Sequence, residues 1–404
     1  MSPPVVHPCK MTPLPGGLFA VPGLKGAACR TGVKPSKDLD LALIVADRPM
    51  SAAGMFTTSE AAAPPVHLCR RVLETNETVR SIVINSGNAN ALTGRRGHDD
   101  AIAMALSTER TCGGPALVLS TGVIGVPLPT DQVLKGIEEA AGGLCQQDDG
   151  KVARAILTTD TCTKTYAVEV DDGDHTFTVG GMAKGSGMIH PNMATMLAMI
   201  ATDAPLGTPA LRAMLKRAVD RSFHEISVDG DTSTNDAVLL LSRRDGDPLS
   251  EQGLACLEQA VTAVARRLAE KIIEDGEGKS RIMEIVVKGA ASEKEARAIA
   301  SAVACSSLVK TALAGGDPNW GRIVAAAGTA GIPIDFDTVS ASLADRLVFR
   351  KGQPVDFDEA ELAELFGRER VRVELDLARG PHQGRMLTTD LTRRYVEINS
   401  EYTT

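Results

Sequence analysis

Read for the spacing of its apolar positions, the chain divides into strands of period two and helices of period 3.6. Apolar runs in "SIVINSGNAN" (81–90) and at Ala116 to Leu119 each predict a buried strand. Each runs into small, polar residues, at Gly87 and at Ser120-Thr121-Gly122, that predict a turn. "TYAVEVDDGDHTFTV" alternates on both sides of Asp171-Asp172-Gly173-Asp174 and predicts a hairpin. Further strands are expected at "DAVLLLS", "MEIVVKG" and "VRVELDL", and in the apolar run that follows Thr195. Leu211, Met214, Leu215 and Ala218 fall on one helical face. Leu254, Leu257, Val261, Val264, Leu268 and Ile272 draw a longer helical stripe that should stop near Asp275-Gly276. A third helix is expected to start at Ser292, with Glu295 placed to complete a capping box. The mixture predicts an α/β (α+β) protein of layered sheets and helices. No repeat, low-complexity tract or shift in composition marks a domain boundary.

The length of 404 residues allows two or three domains at roughly 150 residues each. Only 3% of residues are aromatic while 38 are glycine, so an aliphatic core is expected, with glycines for turns and backbone-lined sites. A net charge of -8 and the lack of any basic block argue against nucleic acid as a partner. A small anionic substrate needs only one or two local cations. "MSPPVVHPCKMTPLPGG" lacks the apolar stretch of a secretory signal, and no apolar run approaches the ~18 residues that span a bilayer, so no membrane role is expected. The eight cysteines are scattered without a C-x-x-C pair. They read as free thiols in a reducing compartment, the cytoplasm.

Candidate chemistry is sparse. No two of the seven histidines stand at i, i+4 and no carboxylate cluster joins them, so no metal site is expected. "DGDTSTND" (229–236) resembles a calcium loop superficially, but lacks the glycine at its sixth position and the later glutamate, and reads as a structural turn. Ser307-x-x-Lys310 has the spacing of a serine nucleophile and its lysine, without the motifs that accompany it in known enzymes. His190 lies near Thr195 but reads as hydrogen-bonded scaffolding. Gly185-Ser186-Gly187 fits neither phosphate-binding fingerprint.

Ala194-Thr195 has a sharper reading. A threonine hydroxyl becomes a useful nucleophile if the chain is cut just before it, because the freed α-amine can then serve as its base. That amine has a pKa of roughly 7.7–8.0, suited to general-base work at neutral pH. The glycines before the pair, with Pro191, permit the tight turn such a cut requires.

These residues stand in a recognisable series. "KGSGMIHPNMATMLAMIATDA" (184–204), "INSGNANALTG", "LSTGVIGVPLP", "ILTTDT", "FHEISVDGDTSTND", "EDGEG", "LVKTALAGGDPNWGRI" and "YVEINSEYTT" follow in order along the chain. In these motifs the chain resembles the ornithine acetyltransferase (glutamate N-acetyltransferase, ArgJ) family. The resemblance implies self-cleavage between Ala194 and Thr195, giving an α chain of residues 1–194 and a β chain of residues 195–404. The two would stay associated, as an α2β2 heterotetramer. Thr195 would then carry an acetyl group from N2-acetyl-L-ornithine to L-glutamate. Bifunctional members also accept acetyl-CoA, which leaves it open as a second donor; no other cofactor is implied.

By the same resemblance Thr121 and Gly122 form the oxyanion hole, and Thr158, Lys184, Thr195, Glu277, Asn399 and Thr404 contact substrate. Lys184 suits a substrate carboxylate and Glu277 an ammonium. Asn319-Trp320-Gly321-Arg322 is as much a structural motif as a catalytic one. Lys279-Ser280-Arg281 departs from the family's usual Ala-Thr-Lys, and residues 375–390 match loosely, which touches local loop chemistry and leaves the nucleophile in place. A self-cleaving amidase or aminopeptidase, which passes the acyl group to water, is the alternative.

Overall fold

The computed structural model describes residues 9–36, 38–146, 150–190 and 196–401. Ala194, Thr195 and Thr404 therefore lie outside the described residues. The first half supplies strands β1 (Lys10–Leu14), β2 (Leu24–Cys29) and β3 (Leu41–Phe56), helix α1 (Pro64–Thr75) and strand β4 (Thr78–Asn88). Helix α2 (Gly94–Cys112), strand β5 (Ala116–Val123) and helices α3 (Thr130–Gly142) and α4 (Lys151–Ala155) follow. Next come β6 (Lys164–Asp171), β7 (Thr176–Lys184), β8 (Leu197–Pro205), α5 (Thr208–Asp220), β9 (Ile226–Ser227), β10 (Ala237–Arg243) and α6 (Glu251–Glu274). The remainder is β11 (Ile282–Ala290), α7 (Glu293–Cys305), α8 (Ser307–Gly315), α9 (Trp320–Ala327), β12 (Ser340–Leu343), β13 (Arg346–Arg350) and β14 (Gln353–Pro354). Helix α10 (Glu359–Phe366), β15 (Arg370–Asp376), β16 (His382–Thr389) and α11 (Arg393–Glu401) complete it.

Among the described residues the strands form a nine-stranded sheet, β1-β6-β7-β8-β10-β3-β4-β5 with β2 beside β3, and a seven-stranded sheet, β14-β13-β12-β15-β11-β16-β9. The first sheet is buried on both faces, which is why its central strands read as unbroken apolar runs rather than alternating ones. In β8, Ala198 and Ile200 point into a core with Leu257, Val261, Val264 and Leu268 of α6. The intervening Leu197, Met199 and Ala201 join a second core with Ile82 and Ile84 of β4 and Leu117 of β5. Strands from both halves of the sheet thus share one inner core, and helices cover the outside. Leu41, Leu43 and Val83 meet Met104 of α2 and Val133 and Ile137 of α3 on the far face. The second sheet packs Ile285, Val287 and Val373 against Ile299 and Val303 of α7. Each aliphatic side chain so buried stabilises the fold by about 1.5–3 kcal/mol.

The layered α/β architecture, the hairpin of β6 and β7, and helices α5, α6 and α7 match the sequence expectations. Leu254 alone of the α6 stripe is 37% exposed. Ser292 caps α7 by accepting from Glu295 N at 3.2 Å. Glu295 faces Arg379 at 3.5 Å instead of closing the capping box.

Two expectations are corrected. The turns expected at Gly87 and at Ser120-Thr121-Gly122 are strand: Gly87 and Gly122 are direct partners where β4 and β5 pair in parallel, and the register becomes irregular just beyond, at Asn88, which pairs with both Thr121 and Val123. Glycine there serves close strand approach and not chain reversal. Nor are all eight cysteines free: Cys9 and Cys256 form a disulfide across 247 residues, a pairing that no local spacing could reveal. Among the described residues, no single helix is long and apolar enough to cross a membrane.

Candidate active site

The C-terminal ends of β4 and β5 open the site. Thr121 is buried, and Gly122 adopts φ +130°, in the region that favours glycine. A Cβ on Gly122 would lie 2.3 Å from the carbonyl carbon of Gly87, so no other residue fits without moving a strand. Ser120 Oγ donates to Asn85 Oδ1 at 2.6 Å, and Asn85 Nδ2 donates to Asn88 O at 2.8 Å. From the loop before β10, Asn235 Nδ2 donates to Ala89 O at 2.7 Å and to Ser120 O at 2.9 Å. The backbone around Thr121 is therefore fixed from both sides.

Lys184, the last residue of β7, is 2% exposed. Its ammonium donates to Thr158 Oγ1 at 2.7 Å and to Thr121 Oγ1 at 3.3 Å, and stands 3.7 Å from Asp160 Oδ2. Burial lowers its pKa, and the Asp160 carboxylate works against that fall. Asp160 in turn accepts from Lys164 Nζ at 2.7 Å, Gly185 N at 2.6 Å and Thr158 N at 3.1 Å. Burial alone would push its carboxyl up, but Lys184 and Lys164 outweigh it and hold the pKa at about 2. Lys164, fully buried, also donates to Asp275 Oδ2 at 2.6 Å, just past the end of α6.

The arrangement changes the reading of Lys184 as a simple grip for a carboxylate. Two protein hydroxyls already take its hydrogens. A hydroxyl that accepts from an ammonium must aim its own hydrogen elsewhere, so Lys184 sets Thr121 up as a donor. A donor held ready for a developing oxyanion is worth ~2.7–4 kcal/mol of transition-state stabilisation.

Glu277 follows α6 and is 9% exposed. Its backbone N–H donates to Ser186 O at 2.9 Å, and its Oε2 accepts from Asn399 Nδ2 of α11 at 2.9 Å. Gly187 has no side chain because the Glu277 carboxylate fills that space, 2.3 Å from where a Cβ would sit. Thr121, Gly122, Thr158, Lys184, Glu277 and Asn399 all line one cavity, together with Ala89, Ile124, Met188 and Ser233 to Asn235. Of the residues expected from the sequence, these six come together. Ala194, Thr195 and Thr404 fall outside the described residues.

Other candidates resolve into scaffolding. His190 Nδ1 lies 3.4 Å from Ser227 Oγ and 3.5 Å from Cys305 Sγ, with its pKa lowered by burial. Ser307 is exposed while Lys310 is buried against Thr388 Oγ1 at 3.1 Å, so the two do not pair. Trp320 stacks on Phe349 at 5.5 Å within the second layer. Ser280 N donates to Asp390 Oδ1 at 2.9 Å and Arg281 Nη1 to Ala314 O at 2.8 Å, so this divergent segment is structural. Sequence reading missed Asp160, Lys164 and Asp236, the last a fully buried carboxylate that accepts from Met196 N at 2.9 Å. Asp160 and Asp236 stand in "ILTTDT" and "STND", motifs quoted for the resemblance, but nothing local marks any of the three as buried.

A layered fold whose buried lysine, hydroxyls and carboxylate converge on one small cavity is that of an enzyme acting on small molecules. The ArgJ family profile matches residues 25–404, and the chain belongs to that family. Arginine biosynthesis bifunctional protein ArgJ of Parasynechococcus marenigrum is 43% identical to it over 96% of this chain and 96% of that protein. The protein of the same name from Gloeobacter violaceus is 44% identical over 96% of this chain and 98% of its own length. A crystal structure of the ArgJ protein of Bacillus halodurans is 33% identical, covering 50% of this chain and 96% of that one with a TM-score of 0.47.

Proposed function

We propose that this chain is an acetyltransferase of arginine biosynthesis that moves the acetyl group of N2-acetyl-L-ornithine to L-glutamate through an acetyl-Thr195 intermediate. The observation that carries this reading is the convergence of Thr121, Gly122, Thr158, Lys184, Glu277 and Asn399, distant in sequence, on one cavity. Maturation comes first. The Thr195 hydroxyl oxygen bonds to the Ala194 carbonyl carbon, the C–N bond breaks, and the hydroxyl proton passes to the departing nitrogen. Water then hydrolyses the resulting ester, leaving the Ala194 carboxylate and a Thr195 with a free amine and hydroxyl. In transfer, that amine takes the hydroxyl proton as the oxygen attacks the acetyl carbonyl, and returns it to the leaving ornithine nitrogen. Thr121 and the Gly122 N–H receive the charge on the acyl oxygen. Glutamate reverses these steps on the acetyl-enzyme.

The products of the cut, 1–194 and 195–404, would remain joined because β7 and β8 are antiparallel neighbours inside one sheet, from Val179–Thr202 to Lys184–Leu197. Assembly as α2β2 and acetyl-CoA as a second donor rest on the family likeness. Incubation with N2-acetyl-L-ornithine and glutamate tests the reaction: N-acetylglutamate is the expected product, and free acetate in its place would mark an amidase.

A further inference from the structure

The segment "DGDTSTND" (229–236), which reads as a turn and whose Asp229 and Asp236 have no part in the transfer step above, grips the chain on both sides of Ala194–Thr195. On the near side, Asp229 Oδ2 accepts from Met188 N at 2.6 Å and Oδ1 accepts from Ile189 N at 2.9 Å. Val228 N donates to Ile189 O at 2.8 Å, and Tyr395 OH donates to Asp229 Oδ2 at 3.2 Å. On the far side, Asp236 Oδ1 accepts from Met196 N at 2.9 Å, and Ala237 N donates to Met196 O at 3.1 Å. Asp236 is fully buried, and its Oδ2 accepts no hydrogen bond among the described residues. Ser233 lies close: its hydroxyl oxygen accepts from Asn235 N at 3.0 Å, and its own hydrogen remains available to face the Asp236 carboxyl. The same loop carries Asn235, which holds the strand leading to Thr121. Met188 takes φ +55°, a conformation unusual for a non-glycine residue, between the Gly185-Ser186-Gly187 turn and the Asp229 anchor.

We propose that residues 229–236 form a maturation clamp: Asp229 and Asp236 are positioning residues that fix the two flanks of the Ala194–Thr195 bond. This rests on the self-cleavage reading above. Each anchor uses carboxyl oxygens as acceptors for backbone N–H groups, and neither makes an ion pair with a cation of the described residues. Burial pushes the Asp229 pKa up to about 6 and holds that of Asp236 well above the usual carboxylate range, which suits oxygens serving as hydrogen-bond partners in a dry site.

The two anchors differ in a way that mutation can read. Asp229 needs both oxygens as acceptors, so Asp229→Asn turns an amide N–H toward a backbone N–H and breaks one flank. Asp236 needs one acceptor there, so Asp236→Asn keeps it, whereas Asp236→Leu removes it at similar volume. The full-length chain is expressed in each form and the cleaved fraction is followed by intact mass, with thermal melting on the same samples and kcat and KM of the cleaved fraction. Asp229→Asn and Asp236→Leu are expected to slow cleavage at least tenfold, Asp236→Asn to stay within about threefold of wild type, and KM of the cleaved enzyme to hold. Cleavage at the wild-type rate in Asp229→Asn and Asp236→Leu, or its loss in a folded Asp236→Asn, would overturn the clamp. If the larger changes leave no folded precursor, Asp229→Ser and Asp236→Ser carry the same comparison. An active wild type that stays uncut would instead defeat the self-cleavage reading, separating the two failures.

Discussion

The ammonium of Lys184, which lines the cavity, and the carboxylate of Asp160 behind it stand 3.7 Å apart, both buried. Lys164 completes the balance of charge from below, at 2.7 Å. Removing one member leaves the others without compensation in a medium that screens poorly. Asp160→Asn is therefore expected to cost about 3–5 kcal/mol of stability, measured by denaturant unfolding at neutral pH. A loss below 1 kcal/mol would mean that water reaches this network.

The same carboxylate predicts an acid response. Its folded pKa of about 2 lies below the ordinary 3.8, so its contribution is present above pH 3.8 and is lost as pH falls toward 2. A displacement of that size is worth about 2 kcal/mol. Unfolding free energy measured against pH should show this loss in the wild type and a shallower one in a folded Asp160→Asn.

Lys184 donates to both Thr121 and Thr158, and a lysine that orients these hydroxyls predicts a particular kinetic pattern. Lys184→Met should lower kcat by roughly 10²–10³-fold, the cost of one ill-aimed oxyanion donor. A rise in KM alone, with kcat intact, would restore the simpler role of gripping a substrate carboxylate.

Gly122 faces Gly87 across two strands with no room for a methyl group. Gly122→Ala must push β4 and β5 apart, and overpacking of this kind costs about 1–3 kcal/mol. A lowered melting temperature together with loss of turnover is expected. An alanine variant of wild-type stability would show that the strands yield there.

Cys9 and Cys256 join the start of the chain to α6. Thiol titration of the denatured, unreduced protein should find two fewer reactive groups than the eight cysteines in the sequence. A full count of eight would return every cysteine to the free state.

Much of this molecule was legible in its sequence where the signal is local and periodic. The α6 stripe and the Ser292 cap stand where spacing put them, because one helix face and one side-chain acceptor decide each. The apolar run after Thr195 is β8, unbroken because both faces are covered. What could not be read is what depends on approach through space. Ser120-Thr121-Gly122 carries turn residues, yet stays in a strand because Gly87 of the neighbouring strand leaves no space for a side chain. Lys184 and Asp160 look like surface charges until β7 and the loop before β6 bury them together. The loop at 229–236 resembles a cation site only because its carboxylates recur; Asp229 spends both oxygens, and Asp236 one, on N–H groups from residues 188, 189 and 196.

The proposed chemistry requires Thr195 to become a chain terminus, and mass spectrometry of active, purified protein under denaturing conditions tests that most directly. Two polypeptides are expected, the second beginning Thr-Met-Leu-Ala at residue 195. A single intact 42.4 kDa chain in a preparation that still transfers acetyl groups would contradict it.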